Sequence, residues 1–196
     1  MKLFFPEPQD TFQGRMALRK IVRFPQPLLR QPTREVTVID KNIRTLVQDM
    51  METMCDVNGA GLAAIQVGAL ERIFIIEAVA AGCEKTDPPK VFINPVLEFL
   101  SPETDVKEEG CLSFPSIFIP VKRSLRATVS ALDLDGNKFT IPVEDFYARA
   151  IQHEYDHLIN KLLYDHAGPI KKQMIKRKLD RMTDEEAYKL LAQHGD

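Results

Sequence analysis

Apolar residues recur at steps of three and four between residues 40 and 56, which is the period of an amphipathic α-helix. They are Ile43, Leu46, Val47, Met50, Met51 and Met54. Asp40 stands just before them, and an aspartate at that position can accept a hydrogen bond from a free amide of the first turn. We therefore predict a helix that is capped by Asp40 and buries its methionine-rich face. Gly59 is suited to end this helix.

Shorter apolar runs, separated by turn residues, predict β-strands in the middle of the chain. Residues 72–76 are expected to form a buried strand, and shorter strands are expected at 91–93 and 104–107. Residues 126–134 and 138–141 flank Asp135, Gly136 and Asn137, so this segment predicts a hairpin. Strands followed by helices indicate an α+β chain without internal repeats.

Two helical patterns follow near the C-terminus. The first is basic, and a basic run of this kind is usually a solvated helix face. Its basic residues are Lys171, Lys172, Lys176, Arg177, Lys178 and Arg181. Thr183 and Glu186 then have the spacing of a capping box, which predicts the start of a last helix.

Composition is that of an ordinary globular protein. The chain has 196 residues, 44% of them hydrophobic and 28% charged, with a net charge of −2. This charge gives no general attraction to DNA or to a membrane. The longest apolar candidate, residues 73–83, is interrupted by Glu77 and is too short to span a bilayer. Three cysteines without regular spacing argue against a disulfide scaffold. We therefore expect a cytoplasmic enzyme.

The first fifteen residues differ from the rest. An apolar start is ended early by Pro6 and Glu7, which disfavours a signal peptide. Acidic Asp10 likewise disfavours an organelle transit peptide. We predict that residues 1–15 are an N-terminal extension and that residues 16–196 form one catalytic domain.

The most informative motif is His153-Glu154-Tyr155-Asp156-His157. Residues four apart lie on one face of a helix, so His153 and His157 can bind one metal ion. Glu154 is then beside the ion without binding it, where a carboxylate can accept a proton from an activated water. A solvated helix with two histidines is the alternative, but the chain has only four histidines.

A catalytic metal site usually has a third protein ligand. A thermolysin-like chain would place a glutamate about twenty residues on, where this chain has Lys176 and Arg177. A metzincin would continue with Gly and His at positions that Asn160 and Leu163 occupy here. The third ligand is therefore expected from a distant part of the chain.

Cys111 is the best candidate for that ligand. Thiolates bind zinc and ferrous iron strongly, and the neighbouring Gly110 and Ser113 suit a backbone that approaches a ligand. An isolated cysteine is more often a small buried apolar residue. We expect that simpler role for Cys55 and Cys83.

A third segment, residues 59–66, is small and flexible and ends in Gln66. By itself a Gly-x-Gly run is weak evidence, and it lacks the dinucleotide-binding fingerprint. Together with the segments around Cys111 and His153, however, it resembles the three motifs of the peptide deformylases, in the order of that family. The resemblance extends from Leu18 to Arg181.

The resemblance implies roles for the residues in these motifs. Cys111, His153 and His157 resemble the metal ligands, and Glu154 resembles the general acid and base. Gln66 and the backbone amide of Leu112 resemble the donors that stabilise the oxyanion. The positions that resemble substrate-binding ones are Ala60, Gly61, Glu109 and Gly110.

Supporting residues are implied in the same way. Asp156 resembles an acid that pairs with an arginine in the family, here Arg123. Apart from the resemblance, Gln152 is expected simply to satisfy nearby backbone groups. Asn160 stands where the family usually has glycine, and asparagine also tolerates left-handed geometry. Phe118 stands where many members have an arginine that contacts the peptide.

The implied activity is hydrolysis of the N-formyl group from the first methionine of nascent polypeptides, with release of formate. The implied cofactor is one divalent ion, Fe²⁺ in the cell, with Zn²⁺, Ni²⁺ or Co²⁺ able to replace it. The implied fold is α+β, with mixed and antiparallel sheets around a central metal-binding helix and a helical C-terminal tail. The basic helix suggests ribosome docking, whereas no membrane or DNA partner is expected.

Two other interpretations stay open from the sequence. A zincin-type peptidase would share the H-E-x-x-H motif but lacks its usual third ligand here. A non-catalytic relative could bind a metal or the ribosome without turnover, although all the motif residues are intact.

Overall fold

Residues 18–78 and 87–192 are described in the structure, a computed structural model. The predicted N-terminal extension at residues 1–15 and Cys83 lie outside these ranges. The expectations for those segments therefore stay predictions.

The first long helix, α1 (Lys41–Asp56), confirms the predicted amphipathic segment. Asp40 accepts a hydrogen bond from the backbone amide of Ile43 at 3.0 Å. The predicted apolar face is buried in the core or packed against it. Asn58, with φ of 49°, ends the helix in the left-handed region, and the Gly59 amide bonds to the Met54 carbonyl. The left-handed position is therefore one residue earlier than predicted.

The described residues form seven strands in two sheets. The strands are β1 (Gly61–Ala63), β2 (Ile73–Ile76), β3 (Lys90–Leu100), β4 (Thr104–Glu109), β5 (Ile119–Ser124), β6 (Arg126–Leu132) and β7 (Lys138–Glu144). The larger sheet has the order β1-β2-β3-β6-β7, and β4 pairs with β5 in the smaller one. β1 is thus an edge strand.

All of the strand pairs in the two sheets are antiparallel. The mixed pairing that we expected is limited, in the described residues, to one isolated parallel bridge between Arg34 and Glu71. The hairpin predicted around residues 135–137 is present between β6 and β7. Asp133 stabilises its turn by accepting hydrogen bonds from the amides of Asp135 and Asn137.

Helix α2 (Asp145–Leu158) carries the H-E-x-x-H residues. It packs against β1, β2, β5 and β7, so it lies between the larger sheet and the smaller one. Ala148, Ile151 and Leu158 are buried with aromatic residues of the larger sheet. Asn160, just after the helix, has φ of 62°, as expected of a residue that replaces glycine. The architecture is therefore α+β around a central helix.

Two helices complete the chain, α3 (Pro169–Asp180) and α4 (Asp184–Ala192). The predicted capping box is present. The Thr183 amide bonds to the Glu186 carboxylate, and the Glu186 amide bonds to the Thr183 hydroxyl. Leu191 of α4 is buried in the same apolar cluster as α1.

The expectation for Cys55 is wrong, because this side chain is exposed. Met54 occupies the buried face of α1, and the next residue lies about 100° further round the helix. In the described residues, no helix is long and apolar enough to cross a bilayer.

Candidate active site

The structure brings the side chain of Cys111 next to those of His153 and His157, from which it is distant in the sequence. Cys111 follows β4 in the loop before β5, whereas His153 and His157 lie one turn apart on α2. One ligand atom from each lies within 4.8 Å of the others. The Sγ atom of Cys111 is 3.4 Å from Nε2 of His157. Tetrahedral zinc would hold such atoms about 3.6 Å apart, so the donor set fits a metal ion.

The two imidazoles are oriented differently. Nδ1 of His153 lies 3.0 Å from the Glu109 carboxylate, which leaves its other ring nitrogen for the metal. His157 is buried, and its Nδ1 has no hydrogen-bond partner among the described residues. Burial lowers the pKa of His157 to about 3. His157 is therefore neutral, which is the form that binds a metal.

Glu109 is the centre of a buried ion cluster. Arg123 donates two hydrogen bonds to its carboxylate, at 3.0 and 2.9 Å, and Arg149 donates one at 2.6 Å. Burial alone would raise the pKa of Glu109, but hydrogen bonds from His153 and Arg123 bring it well below its usual range. Glu109 is thus a charged group that orients His153. Its carboxylate is already bound by these partners, and a contact between Glu109 and substrate stays a prediction.

Arg123 also reaches Asp156, as the sequence predicts, at 2.6 Å. His166 contacts the same carboxylate oxygen at 2.8 Å. The predicted role of Gln152 is confirmed, because its side chain bonds to both the amide and the carbonyl of Ser124. These bonds tie β5 to the helix that carries both histidines.

Glu154 faces the cleft beside the ligands. Its side chain is buried, and Oε2 has no hydrogen-bond partner among the described residues. Burial raises the pKa of Glu154 to about 7, against the opposing effect of His153. A Cβ atom at Gly61 would lie 2.6 Å from Oε1 of Glu154. Glycine is therefore required at position 61 for this carboxylate to keep its place.

Gln66 is fixed so that its amide hydrogens point at the centre. It lies in a short 3-10 helix, Ala64–Val67, where its side-chain oxygen accepts a hydrogen bond from the Ala63 amide at 2.8 Å. Its nitrogen therefore donates to Ser113 Oγ at 3.2 Å and to Cys111 Sγ at 3.4 Å. Because the Ala63 bond fixes which end carries the nitrogen, the donor direction is set by the fold.

These side chains open onto a cleft of about 320 Å³. Each residue expected to contact substrate lines it, namely Ala60, Gly61, Glu109 and Gly110, as do Gln66, Leu112 and Glu154. Phe118 also lines the cleft and is 44% exposed. The position where the resemblance implies an arginine therefore presents an apolar ring to the cleft.

Sequence reasoning missed Arg149, His166 and Leu191 at or near this site, and it missed the contact of Ser113 with Gln66. Arg149 had a usable signal, since it lies one helical turn before His153 and so shares its face. Ser113 lies within the segment already singled out around Cys111. The contacts of His166 and Leu191 depend on tertiary packing alone.

Comparison with known proteins agrees with this geometry. The family model described as polypeptide deformylase matches residues 18–173. The chain belongs to the peptide deformylase family. A relative, the peptide deformylase of Saccharophagus degradans, is 45% identical over 166 residues, covering 85% of this chain and 94% of that protein.

Solved structures of the family have the same fold. The peptide deformylase of Legionella pneumophila matches with a TM-score of 0.78 and 39% identity, over 84% of this chain and 95% of that one. The Ehrlichia chaffeensis enzyme, in complex with actinonin, matches with a TM-score of 0.78 and 36% identity, over 86% and 100%.

The family establishes the activity. The protein is a metal-dependent hydrolase that removes the N-formyl group from the N-terminal formyl-methionine of nascent polypeptides and releases formate. The match supports this interpretation over a zincin-type peptidase. The structure adds a cluster of cysteine and histidine side chains that can bind the metal.

Proposed function

We propose that Cys111, His153 and His157 bind the metal of this deformylase and that Glu154 is its general base and acid. The observation that carries the proposal is the convergence of the three ligand atoms within 4.8 Å, at a cleft that Glu154 also lines. Sulfur and imidazole nitrogen are ligands for zinc and for ferrous iron alike.

The first step is activation of water in the cleft. Cys111, His153 and His157 would hold a divalent ion, and its positive charge would make water acidic enough to lose a proton near neutral pH. Glu154 accepts this proton through the buried oxygen that has no partner in the described residues. The deprotonated water then adds to the formyl carbon.

Negative charge develops on the formyl oxygen during this addition. We assign its stabilisation to the Gln66 side chain and to the backbone amide of Leu112. Gln66 supports the assignment because its nitrogen already points at the sulfur of Cys111. Donors that the fold holds in place need no reorganisation when the charge appears, and loss of one typically slows a reaction by about 10²–10³-fold.

Collapse of the adduct breaks the bond between the formyl carbon and the methionine nitrogen. The nitrogen needs a proton to leave as an amine, and Glu154 returns the one it accepted. The products are formate and a peptide with a free α-amino group.

The substrate is aligned through its main chain. β1 is the edge of the larger sheet, and its first residue, Gly61, lines the cleft, so an extended peptide can pair with Gly61 and the residues just before it. Gly61 is the first residue of this strand and Ala60 precedes it, and both line the cleft together with Glu109 and Gly110. We therefore infer that these residues hold the formyl-methionyl end beside Glu154.

We infer that the metal in the cell is Fe²⁺, with Zn²⁺, Ni²⁺ or Co²⁺ able to occupy the same ligands. Purification without oxygen, followed by metal analysis, tests this, because Fe²⁺ and a thiolate are both oxidisable. Cys111→Ala should lose the metal under either condition. A full complement of metal in that variant would contradict the ligand assignment.

The basic surface of α3 supports docking to the ribosome in the cytoplasm. Ile175 and Leu179 are buried, so the basic side chains between them lie on the outer side of the helix. Binding through phosphates should weaken as salt rises. Cosedimentation with ribosomes, measured for the native protein and for a Lys171→Glu, Arg177→Glu variant, tests the contact. Equal binding by both would contradict it.

Formate release is the direct test of the proposed chemistry. Protein prepared with Fe²⁺ and without oxygen should release formate from formyl-Met-Ala-Ser. No cleavage of casein is expected, since casein cleavage would indicate a peptidase. A protein that holds metal but releases no formate would contradict the proposed roles.

A further inference from the structure

Helix α4 reaches the active-site cleft from outside the matched part of the chain. The family match ends at residue 173, whereas α4 covers Asp184–Ala192. Leu191 lines the cleft, together with Val57, Asn58 and Gly59. In the described residues, it is the one side chain beyond the family match that does so.

Several contacts hold α4 in this place. Ala187 and Leu191 are buried against the body of the protein. Asp184, at the start of the helix, pairs with Lys20 and Arg23. Tyr188 donates a hydrogen bond to Asp56 at the end of α1, at 2.5 Å. Since these contacts spread over the whole length of α4, they fix the position of Leu191 at the edge of the cleft.

The path of the peptide follows from the residues that line the cleft. The formyl group must lie beside Glu154, which is directly next to Gly61. The residues after Gly61 in β1, Leu62 and Ala63, are fully buried and do not line the cleft. Of the residues next to Gly61 in the chain, those before it line the cleft, so we place the peptide along Ala60 and Gly59.

An extended chain advances about 3.3 Å per residue. If the methionine lies beside Gly61, the second residue lies near Ala60 and the third lies near Gly59, which borders the side chains of Leu112 and Met54. Leu191 packs in the same apolar cluster as Val57, and Leu112 packs against that cluster. The third residue of the peptide therefore meets an apolar surface to which α4 contributes.

We propose that Leu191 is a specificity-determining residue, which favours peptides with an apolar side chain at the third position after the formyl group. The inference rests on the proposed function, because the peptide path starts from Glu154. It assigns α4 the role of closing the far end of the cleft.

The test compares formyl-Met-Ala-Leu with formyl-Met-Ala-Gly on the native protein and on Leu191→Ala. The native protein should prefer the leucine peptide through a lower KM. Leu191→Ala should reduce that preference about 5-fold with kcat unchanged, because the lost contact is apolar and distant from the reacting bond. Leu190→Ala is the matched control, since Leu190 is the adjacent leucine of the same helix and does not line the cleft.

A conservative variant separates specificity from folding. Leu191→Met keeps about the same volume, so it should retain both the melting temperature and the preference for leucine. The inference is overturned if Leu191→Ala keeps the native preference, if Leu190→Ala loses it equally, or if the change falls on the second peptide residue. Absence of formate release by the native protein would instead contradict the proposed function.

Discussion

The metal centre and the C-terminal helices use the same residue types to different effect. At the centre, Arg123 and Glu109 form an ion pair in which each side chain is only 5% exposed. In α4, Lys189 and Glu185 form an ion pair in which the two side chains are 65% and 79% exposed. A buried pair that loses one partner leaves an unpaired charge, whereas water replaces either partner of an exposed pair.

The difference shows where charge fixes geometry in this protein. The pairs around Glu109 orient His153, and they are shielded from water. The pairs along α3 and α4 lie on the surface, and those helices are positioned mainly by buried apolar residues such as Ile175, Leu179 and Leu191. Substitutions in the two regions should therefore differ sharply in effect.

The largest effect is expected at Glu154. Glu154→Ala removes the proton acceptor and donor but none of the three ligands, so formate release should fall by about 10³-fold while metal content stays unchanged. The C-terminal control is Glu185→Ala, which should keep native activity. Formate assays and metal analysis on both variants check this. Native activity in Glu154→Ala would show that substitutions at the metal centre and in the C-terminal helices do not differ in effect.

Gly61→Ala should come next. The added Cβ would lie 2.6 Å from the Glu154 carboxylate, so Glu154 must move. A displacement of a catalytic group by about 1 Å can lower the rate of the reaction about 10²-fold. Gly168→Ala, just before α3, is the matched control, because nothing lies within 4 Å of its added Cβ. Equal kcat values for the two variants would show that Glu154 tolerates displacement.

Arg149→Met should destabilise the protein by about 3 kcal/mol, since it removes a buried partner of Glu109. Urea unfolding, followed by circular dichroism, measures the free energy of unfolding. Lys176→Met, which removes an exposed pair with Asp180 on α3, should leave that free energy unchanged within error. An equal loss in both variants would mean that burial does not distinguish the two pairs.

The smallest effect is expected for Lys189→Met in α4. Its partner Glu185 is largely exposed, so both the midpoint of urea unfolding and the KM for formyl-Met-Ala-Leu should stay at their native values. A shift in that KM would show that an exposed pair within α4 affects peptide binding, which would weaken the contrast between the exposed pairs and the buried ones.

Local sequence patterns predicted those parts of the fold that depend on local physics. The Asp40 cap, the methionine-rich face of α1, the hairpin turn after β6 and the capping box before α4 each follow from neighbouring residues. Cys55 was predicted wrongly because a cysteine at a helix end carries little information about which face it occupies.

The parts of the site that could be predicted from the sequence are those with distinctive motifs. The spacing of His153 and His157 indicates a metal on its own, but Cys111 is 42 residues away from His153 in the chain. Its approach to the histidines depends on how β4 and β5 pack against α2. For the same reason the convergence of Arg123 and Arg149 on Glu109 could not be derived from spacing, since it joins two strands to a helix.

The edge position of β1 has a consequence for timing. A peptide that pairs with Gly61 at the start of this strand, as proposed, must offer a stretch of extended backbone whose amides and carbonyls are still free. A protein terminus that has already entered a helix or a sheet has none to offer. Deformylation by this architecture therefore belongs to the interval between synthesis of an N-terminus and its incorporation into tertiary structure.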